Sequence, residues 1–467
     1  MIQLGAWIII GLLAAADNPS PANLVRRLGS NRFSDRVEAA RALERLGTRA
    51  ISDLRTAEHS GDARVRARVP GLIEAIERGA ERARFEQPTE LQLDFRDRPL
   101  SEVIEALNNR YHLPLAVQFG PATMPGMRMR FPMQGRQADP RLAEAEARKV
   151  TIVSDHPLPF WKAIDRICEA GQLRHDLHPG SVFDPTNGWF VLHAGLPGGR
   201  PVVSDSGPIR VKITGLRATI ERKPSVTSSP PRGSLMIRMV VIPEPGLVVR
   251  PAGPIAITEA VDDLGRKRNA SAASPPNNVY QVPFLAGYSG FEAVATLAID
   301  DLGSRSLRRL HGSIPAVMVA RTPSPLVFPL DQKAPGQSGR IDGATVRILE
   351  VSTGANDEVS SVLIEVTSDR PQVTRFRPWN PSQPPDLATF QVDQALNRVE
   401  LLDAQGHPIA IRGNPSQSPN FMARRFQLIP NPFGPAIAQG PPVILRFHGL
   451  VQQKTEIAFD FHDVPMP

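Results

Sequence analysis

The chain has 467 residues, of which 41% are hydrophobic, enough to fill the cores of about three domains and to exclude wholesale disorder. Its single cysteine excludes an intrachain disulfide framework and any zinc or iron–sulfur site built from several cysteines. The net charge is +7, but 54 basic and 47 acidic residues are interspersed, so we predict a solvated mixed surface and no nucleic-acid binding.

The N-terminal segment 1–16 resembles a secretory signal peptide. It is largely apolar and ends in Ala14-Ala15-Ala16, small residues of the kind that signal peptidase accepts. No Lys or Arg precedes the apolar run, so an uncleaved anchor and a buried segment remain as alternatives. We expect an exported protein, periplasmic, in the cell envelope or extracellular, and leave peripheral membrane or cell-wall association open.

Residues 21–79 are predicted to form short helices. An acidic variant of the capping box, Asp35-x-x-Glu38, precedes apolar residues at helical spacing. These apolar residues are Val37, Ala40, Leu43 and Leu46. A second helix is expected around 51–57, and a third is expected to be kinked at Pro70 and to end at Gly79.

The two helical stretches contain a weak internal repeat. Val37-Glu38-Ala39 and Val65-Arg66-Ala67 lie 28 residues apart, a spacing typical of stacked helix pairs. Together with the segment 41–47, this pattern resembles short HEAT-type repeats. Fewer than three units are present, which implies that they pack on the next domain rather than form a free-standing solenoid.

Residues 88–195 contain a clearer repeat, interrupted by an insertion rich in Gly, Pro and Met at 120–140. Each half has an alternating strand, an Asp-x-Pro-Leu motif at 97–100 or 155–158, and then a helical pattern. The helical apolar positions are Leu100, Val103, Ile104 and Leu107, and then Trp161, Ile164, Ile167 and Cys168. This arrangement resembles the short βαβ N-terminal domain of secretins and TonB-dependent receptors, here doubled.

From residue 200 onward, short alternating strands separated by Pro, Ser and Gly clusters predict two antiparallel β-sandwiches, at 200–322 and 340–467. The motifs at 262–265, 300–303 and 403–406 are predicted to be hairpin turns, with calcium binding as the alternative for the doubled aspartates of the first two. The predicted fold class is therefore multidomain α+β. The whole chain is similar to uncharacterised exported bacterial envelope proteins with C-terminal β-sandwiches.

The sequence contains no catalytic signature, and we predict no catalytic or cofactor-binding residue. Cys168 lies on the apolar face of a predicted helix and is expected to be an inert buried thiol. We predict no metal site, with two alternatives left open. Zinc could use His175, His178, Asp184 and His193, and Cu(I) could use Met124, Met127, Met129 and Met133.

We therefore predict a non-catalytic scaffold or protein-binding module of the bacterial envelope, whose partner is another envelope protein. Recognition is expected within the first 200 residues, where the candidate binding residues are Met127, Met129, Arg128, Arg130, Arg41 and Arg45. The alternatives are a polysaccharide or anionic-polymer binder, or a β-sandwich glycoside hydrolase. Exposed aromatic residues beside a groove would favour the former, and two carboxylates within ~10 Å in a cleft would favour the latter.

Overall fold

A computed structural model describes residues 20–111, 113, 115–118, 144, 147–174, 183–184, 189–194, 201–221, 232–269, 290–299, 303–322, 324–354, 358–368, 398–409, 411–416, 423–430 and 440–467. The predicted signal segment 1–16 and the insertion 120–140 lie outside the described residues. The chain divides into two compact units, Met1–Ala83 and Arg84–Pro467.

The first unit is helical, as predicted. Its helices are α1 (Pro21–Arg27), α2 (Phe33–Leu46), α3 (Ile51–Ala57) and α4 (Ala63–Glu86), with a 3-10 turn at Gly47–Ala50. One core holds buried apolar side chains from all four helices, among them Leu24, Leu43, Leu54 and Val69. Val37 is only half-buried, whereas Ala39, one turn before Leu43, is fully buried.

Two details of this unit differ from the prediction. The predicted capping box is wrong, because α2 already begins at Phe33 after Arg32, which makes no side-chain cap. Asp35 instead accepts a hydrogen bond from the Ser30 hydroxyl at 2.9 Å. The predicted stop at Gly79 is also wrong, since α4 continues to Glu86 with Pro70 inside it. The backbone of Gly79 does not have the left-handed conformation of a C-terminal cap.

The second unit begins with two helices, α5 (Leu100–Tyr111) and α6 (Phe160–Gly171). The strands around them are β1 (Glu90–Leu91), β2 (Asp94–Pro99), β3 (Leu115–Gln118), β4 (Lys149–Val153), β5 (Leu158–Pro159), β6 (Leu173–Arg174), β7 (Phe183–Asp184) and β8 (Trp189–Ala194). β1 pairs with β5 and β2 with β4, both antiparallel. β3 and β8 are parallel, and β6 and β7 pair with β8 antiparallel.

Helices α5 and α6 bury their predicted apolar positions in one common core. The side chains concerned are Leu100, Val103, Ile104, Leu107, Trp161, Ile164, Ile167 and Cys168. The two halves are not identical. α5 begins at the Leu of its Asp-x-Pro-Leu motif, whereas α6 begins two residues after Leu158, because Leu158 and Pro159 form β5 and pair with β1.

All other described elements are strands. They are β9 (Val203–Ser206), β10 (Ile209–Glu221), β11 (Arg232–Pro243), β12 (Leu247–Pro251), β13 (Ala256–Asp262), β14 (Phe291–Ile299), β15 (Ser306–Arg321), β16 (Leu326–Pro329), β17 (Ser338–Ile341), β18 (Ala344–Thr353), β19 (Val359–Ser368), β20 (Val399–Leu402), β21 (Pro408–Ile409), β22 (Ile411–Ser416), β23 (Ala423–Pro430), β24 (Ile444–Phe447) and β25 (Leu450–Pro465).

Two sheets enclose the largest core. One has the order β14-β11-β10-β9, and in the other β15 pairs with β12 and β13 and also with β25. Buried side chains of both sheets, such as Ile237, Leu297, Leu310 and Phe459, form this core. Pairing between β15 and β25 extends from Ser306↔Pro465 to Arg321↔Leu450. The sequence pattern assigns residues 450–465 to the sandwich predicted at 340–467, but they complete the sheet of the preceding segment.

Two further sheets enclose a separate core. Their orders are β17-β18-β19-β23-β22 and β16-β24-β20-β21. Val346, Ile364, Leu401 and Phe447 are among the fully buried side chains between them. All the pairings in these two sheets are antiparallel.

Strand β11 joins two cores. Val241 lies in the core between the first two sheets, whereas its neighbours Val240 and Ile242 lie in the core of α5 and α6. This alternation follows from the period of two along a strand. Beside it, the indole of Trp161 donates a hydrogen bond to the carbonyl of Pro208 at 3.2 Å. The α/β part and the first sheet pair are therefore packed against opposite faces of one strand, whereas the sequence pattern predicts a domain boundary between residues 195 and 200.

Two of the predicted hairpin turns have the same construction. In the first, an Asp262 carboxylate oxygen accepts hydrogen bonds from the backbone N–H groups of Leu264 (3.0 Å) and Arg266 (2.8 Å). In the second, Asp403 accepts them from Gln405 (3.0 Å) and His407 (2.7 Å). Gly265 and Gly406 have φ angles of 78° and 84°, values that favour glycine. The hairpin prediction is confirmed at both places, and residues 300–302 of the third motif lie outside the described residues.

Candidate functional site

Arg41 and Arg45, two of the predicted binding residues, lie on the same exposed face of α2. Ala39 and Leu43 of this helix lie in the core of the first unit. The opposite face of the helix borders a shallow open cavity of about 860 Å³. The residues around the cavity are Phe33, Ser34, Val37, Glu38, Arg41, Glu44 and Arg45. We call this set of seven residues the α2 surface.

Phe33 is the most exposed large hydrophobic residue in the described part of the chain, with 72% of its surface accessible. Its ring lies under the guanidinium of Arg36, 5.5 Å from the ring centroid. Arg36 is held in place because it also donates to the carbonyls of Ser30 (2.9 Å) and Asn31 (3.1 Å). The exposed aromatic ring offers apolar area to a ligand, with one guanidinium group next to it.

The charges of the α2 surface are unequally satisfied. Glu38 forms an ion pair with Arg27 at 2.6 Å. Arg45 donates only to the backbone carbonyl of Arg41, at 3.4 Å. Within the described ranges, no carboxylate lies at ion-pair distance from Arg41 or Arg45. Two guanidinium groups one helical turn apart therefore remain available to an external carboxylate.

Sequence reasoning singled out the two arginines but missed Phe33. A signal was present, because Phe33 does not share the helical period of the buried residues Ala39 and Leu43. The other predicted binding residues, Met127, Arg128, Met129 and Arg130, lie outside the described residues, as do Met124 and Met133.

The zinc alternative receives no support from the residues that are described. His175 and His178 lie outside them. Asp184 pairs with Trp189 of β8. His193 lies four residues beyond Trp189 on the same strand, so its backbone is about 13 Å from that of Trp189. Across the described part of the chain, no group of three or more His, Cys, Asp or Glu residues is arranged to hold a metal ion.

The hydrogen bonds of Asp262 argue against calcium binding at this residue. Its second carboxylate oxygen is occupied by Arg266 (2.8 Å), Arg268 (2.8 Å) and the Ser304 hydroxyl (2.6 Å). Burial alone would raise the pKa of Asp262, but these hydrogen bonds outweigh it and hold the pKa well below its usual range. Because guanidinium groups already neutralise this carboxylate, it stabilises the turn and is not a free calcium ligand.

Asp165 and Asp205 form a pair of carboxylates within the described residues, and both are bound by one arginine. The buried guanidinium of Arg210 binds both oxygens of Asp165 (2.6 and 2.7 Å) and both of Asp205 (2.7 and 2.9 Å). It also lies 4.9 Å from the centroid of the Trp161 ring. A general acid and base need oxygens free to reach a substrate, so this cluster is structural.

Cys168 lies in the same buried region. Burial raises the pKa of its thiol far above the usual range, and the negative charge of Asp165 adds to the effect. The thiolate nucleophile is therefore not formed at neutral pH, in agreement with the predicted inert thiol.

A further polar cluster lies on β15 and β25. Asp460 binds Arg309 through both oxygens at 3.1 Å, and His462 lies 3.5 Å away. The arginine occupies the carboxylate and places a positive charge where a metal ion would have to bind.

In the described part of the chain, no helix is both long and apolar enough to cross a bilayer. No protein family, curated protein or solved structure matches the chain.

Proposed function

We propose that this protein is a non-catalytic, exported scaffold of the bacterial envelope, and that the α2 surface binds a protein partner. The exposed ring of Phe33 carries the proposal, because a large aromatic side chain at the surface, on the same helix face as two available guanidinium groups, is typical of a protein interface. The second unit serves as a platform.

The finer architecture belongs to this proposal. The first unit corresponds to short HEAT-type helix pairs, and residues 88–195 to a doubled βαβ domain like that of secretins and TonB-dependent receptors. The helical core of α1–α4 and the parallel pairing of β3 with β8 support these assignments. The two sheet pairs correspond to two β-sandwiches, the first of which includes β25.

A protein partner is favoured over a polysaccharide or anionic polymer for two reasons. In the described part of the second unit, the exposed large hydrophobic residues are Leu264, Val327 and Val443, none of which can stack on a sugar ring. On the α2 surface, Glu38 and Glu44 stand among the arginines and oppose a continuous line of negative charge.

Site-specific photocrosslinking in the native envelope tests the proposal. A crosslinker at Ser34, within the α2 surface, is expected to give a defined protein adduct, whereas one at the exposed Ser52 of α3 is not. Phe33→Ser and Arg41→Glu should abolish the adduct. Arg49→Glu, an exposed arginine outside the surface, is the matched control and should retain it. Equal adducts at both crosslinker positions would contradict the proposal.

Export makes a separate prediction. Cleavage after Ala16 would leave Asp17 as the first residue of the mature chain. Mass spectrometry of the protein purified from its native host is expected to find this N-terminus. An intact Met1 on protein recovered from the cytosol would contradict export.

A further inference from the structure

The two ends of the α2 surface differ in chemical character. Phe33, Val37, Arg41 and Arg45 follow one another at intervals of four residues, so they lie on neighbouring turns over about 18 Å of helix. The first two are apolar and the last two are cationic. The surface therefore has an apolar end and a basic end, and a ligand that matches it must have the same division.

The basic end lacks a carboxylate at ion-pair distance within the described residues. Glu44 stands between the two arginines in the sequence but forms an ion pair with neither of them, and Glu38 on the preceding turn is held by Arg27 at 2.6 Å. A guanidinium binds a carboxylate through two parallel hydrogen bonds, and two of them one turn apart match carboxylates one turn apart on another helix.

We infer that the α2 surface takes an acidic amphipathic helical segment of a partner protein. An apolar residue of that segment covers Phe33 and Val37, and acidic residues spaced by four positions bind Arg41 and Arg45. The inference rests on the proposed function, because it names the class of partner for the same surface. The apolar end makes the match specific, since a uniformly charged anionic chain cannot cover the Phe33 ring.

Binding of synthetic peptides to the full-length mature protein tests the inference. The probe is a fluorescein-labelled helical peptide of fourteen residues, with two Leu residues one turn apart at one end and two Glu residues one turn apart at the other. Matched peptides carry Gln or Lys in place of Glu. Fluorescence anisotropy is expected to show that the Glu peptide binds at least about tenfold more tightly than the Gln peptide.

Charge-reversal variants test the inference more directly. The double variant Arg41→Glu/Arg45→Glu should lose the Glu peptide and gain the Lys peptide, whereas Arg49→Glu should bind like the unaltered protein. Phe33→Ser should weaken the Glu peptide without changing its preference over the Lys peptide. Circular dichroism and thermal melting of each variant establish that the helices are retained.

Three results would overturn the inference. One is equal binding of the Glu, Gln and Lys peptides. Another is displacement of the Glu peptide by heparin at equal charge, together with undiminished binding to Phe33→Ser, which would indicate a general anion site. A third is a Ser34 adduct whose crosslinked partner peptide is neutral or basic. That third result would leave the proposed protein-binding function standing, whereas the absence of any adduct would contradict the proposed function itself.

Discussion

Two buried acidic residues of the second unit have opposite electrostatic environments. Asp262 is surrounded by donors, and its pKa is held well below the usual range. Glu244 is 3% exposed and accepts hydrogen bonds from the backbone N–H of Thr89, at 3.2 and 3.0 Å. Burial raises the pKa of Glu244 to about 7, and the Thr89 hydrogen bonds offset this only in part. The two residues should therefore give opposite pH dependences of stability.

We expect Asp262→Asn to lower the free energy of unfolding by ~3 kcal/mol at pH 6, because it removes the anion bound by the buried guanidinium of Arg268 and the half-buried one of Arg266. A depressed pKa contributes stability above the unfolded pKa of about 4, and this contribution is lost as the pH falls below it. The difference between variant and parent should therefore shrink at pH 3. Urea unfolding at both pH values measures it, with the exposed neighbour Asp263→Asn as control. An equal loss at pH 3 and pH 6 would contradict the electrostatic explanation.

Glu244→Gln should have the reverse effect. A raised pKa favours the protonated folded state, so stability is greatest below the unfolded pKa of about 4.5 and is lost as the pH rises through 7. The slope can reach about 1.4 kcal/mol per pH unit in that window. The variant should remove this decline between pH 5 and 8 in urea unfolding, whereas the exposed Glu456→Gln should keep it. Parallel pH profiles of parent and Glu244→Gln would refute the assignment.

At the scale of elements, Leu107 of α5 and Ile164 of α6 are both almost fully buried in one core. Truncation of either to Ala is expected to cost ~2–5 kcal/mol, because the neighbouring side chains collapse only partly into the cavity. Denaturant unfolding of the two variants measures the loss, with the exposed Glu105→Ala of α5 as the matched control. Losses below about 0.5 kcal/mol at both core positions would show that the packing is described incorrectly.

Local patterns predicted most elements, and long-range pairing could not be predicted. The four-residue and three-residue spacing of Leu100, Val103, Ile104 and Leu107 defines a buried helical face, and the Gly265 and Gly406 turns follow from backbone preference. The local sequence of β25 does not identify β15 as its partner, since its alternating pattern fits any half-buried position at the edge of a sheet. The same limit applies to the site, where the spacing of Arg41 and Arg45 was visible but the exposure of Phe33 depends on tertiary packing.

At the scale of the molecule, the strand β11, which contributes to two cores, should make them unfold cooperatively. Because Ile242 packs with α5 and α6 while Val241 packs between the first two sheets, loosening β11 affects both cores. Ile242→Ala should therefore lower the hydrogen-exchange protection of amides in α6 and in β15 to a similar extent. Exchange followed by mass spectrometry measures both segments in one experiment. Loss of protection confined to α5 and α6 would indicate two independent folding units.

The pairing of β15 with β25 also bears on how the chain is made. β15 reaches its partner only after more than a hundred further residues have been added, so its sheet stays incomplete while residues 322–449 are synthesised. During that time the apolar face formed by Leu310, Ile314 and Met318 lacks the aromatic side chains of Phe459 and Phe461 that later pack with it in the core. An exposed apolar face and an unpaired strand edge promote aggregation of incompletely folded chains, so the late arrival of β25 lengthens the period in which the nascent chain is vulnerable.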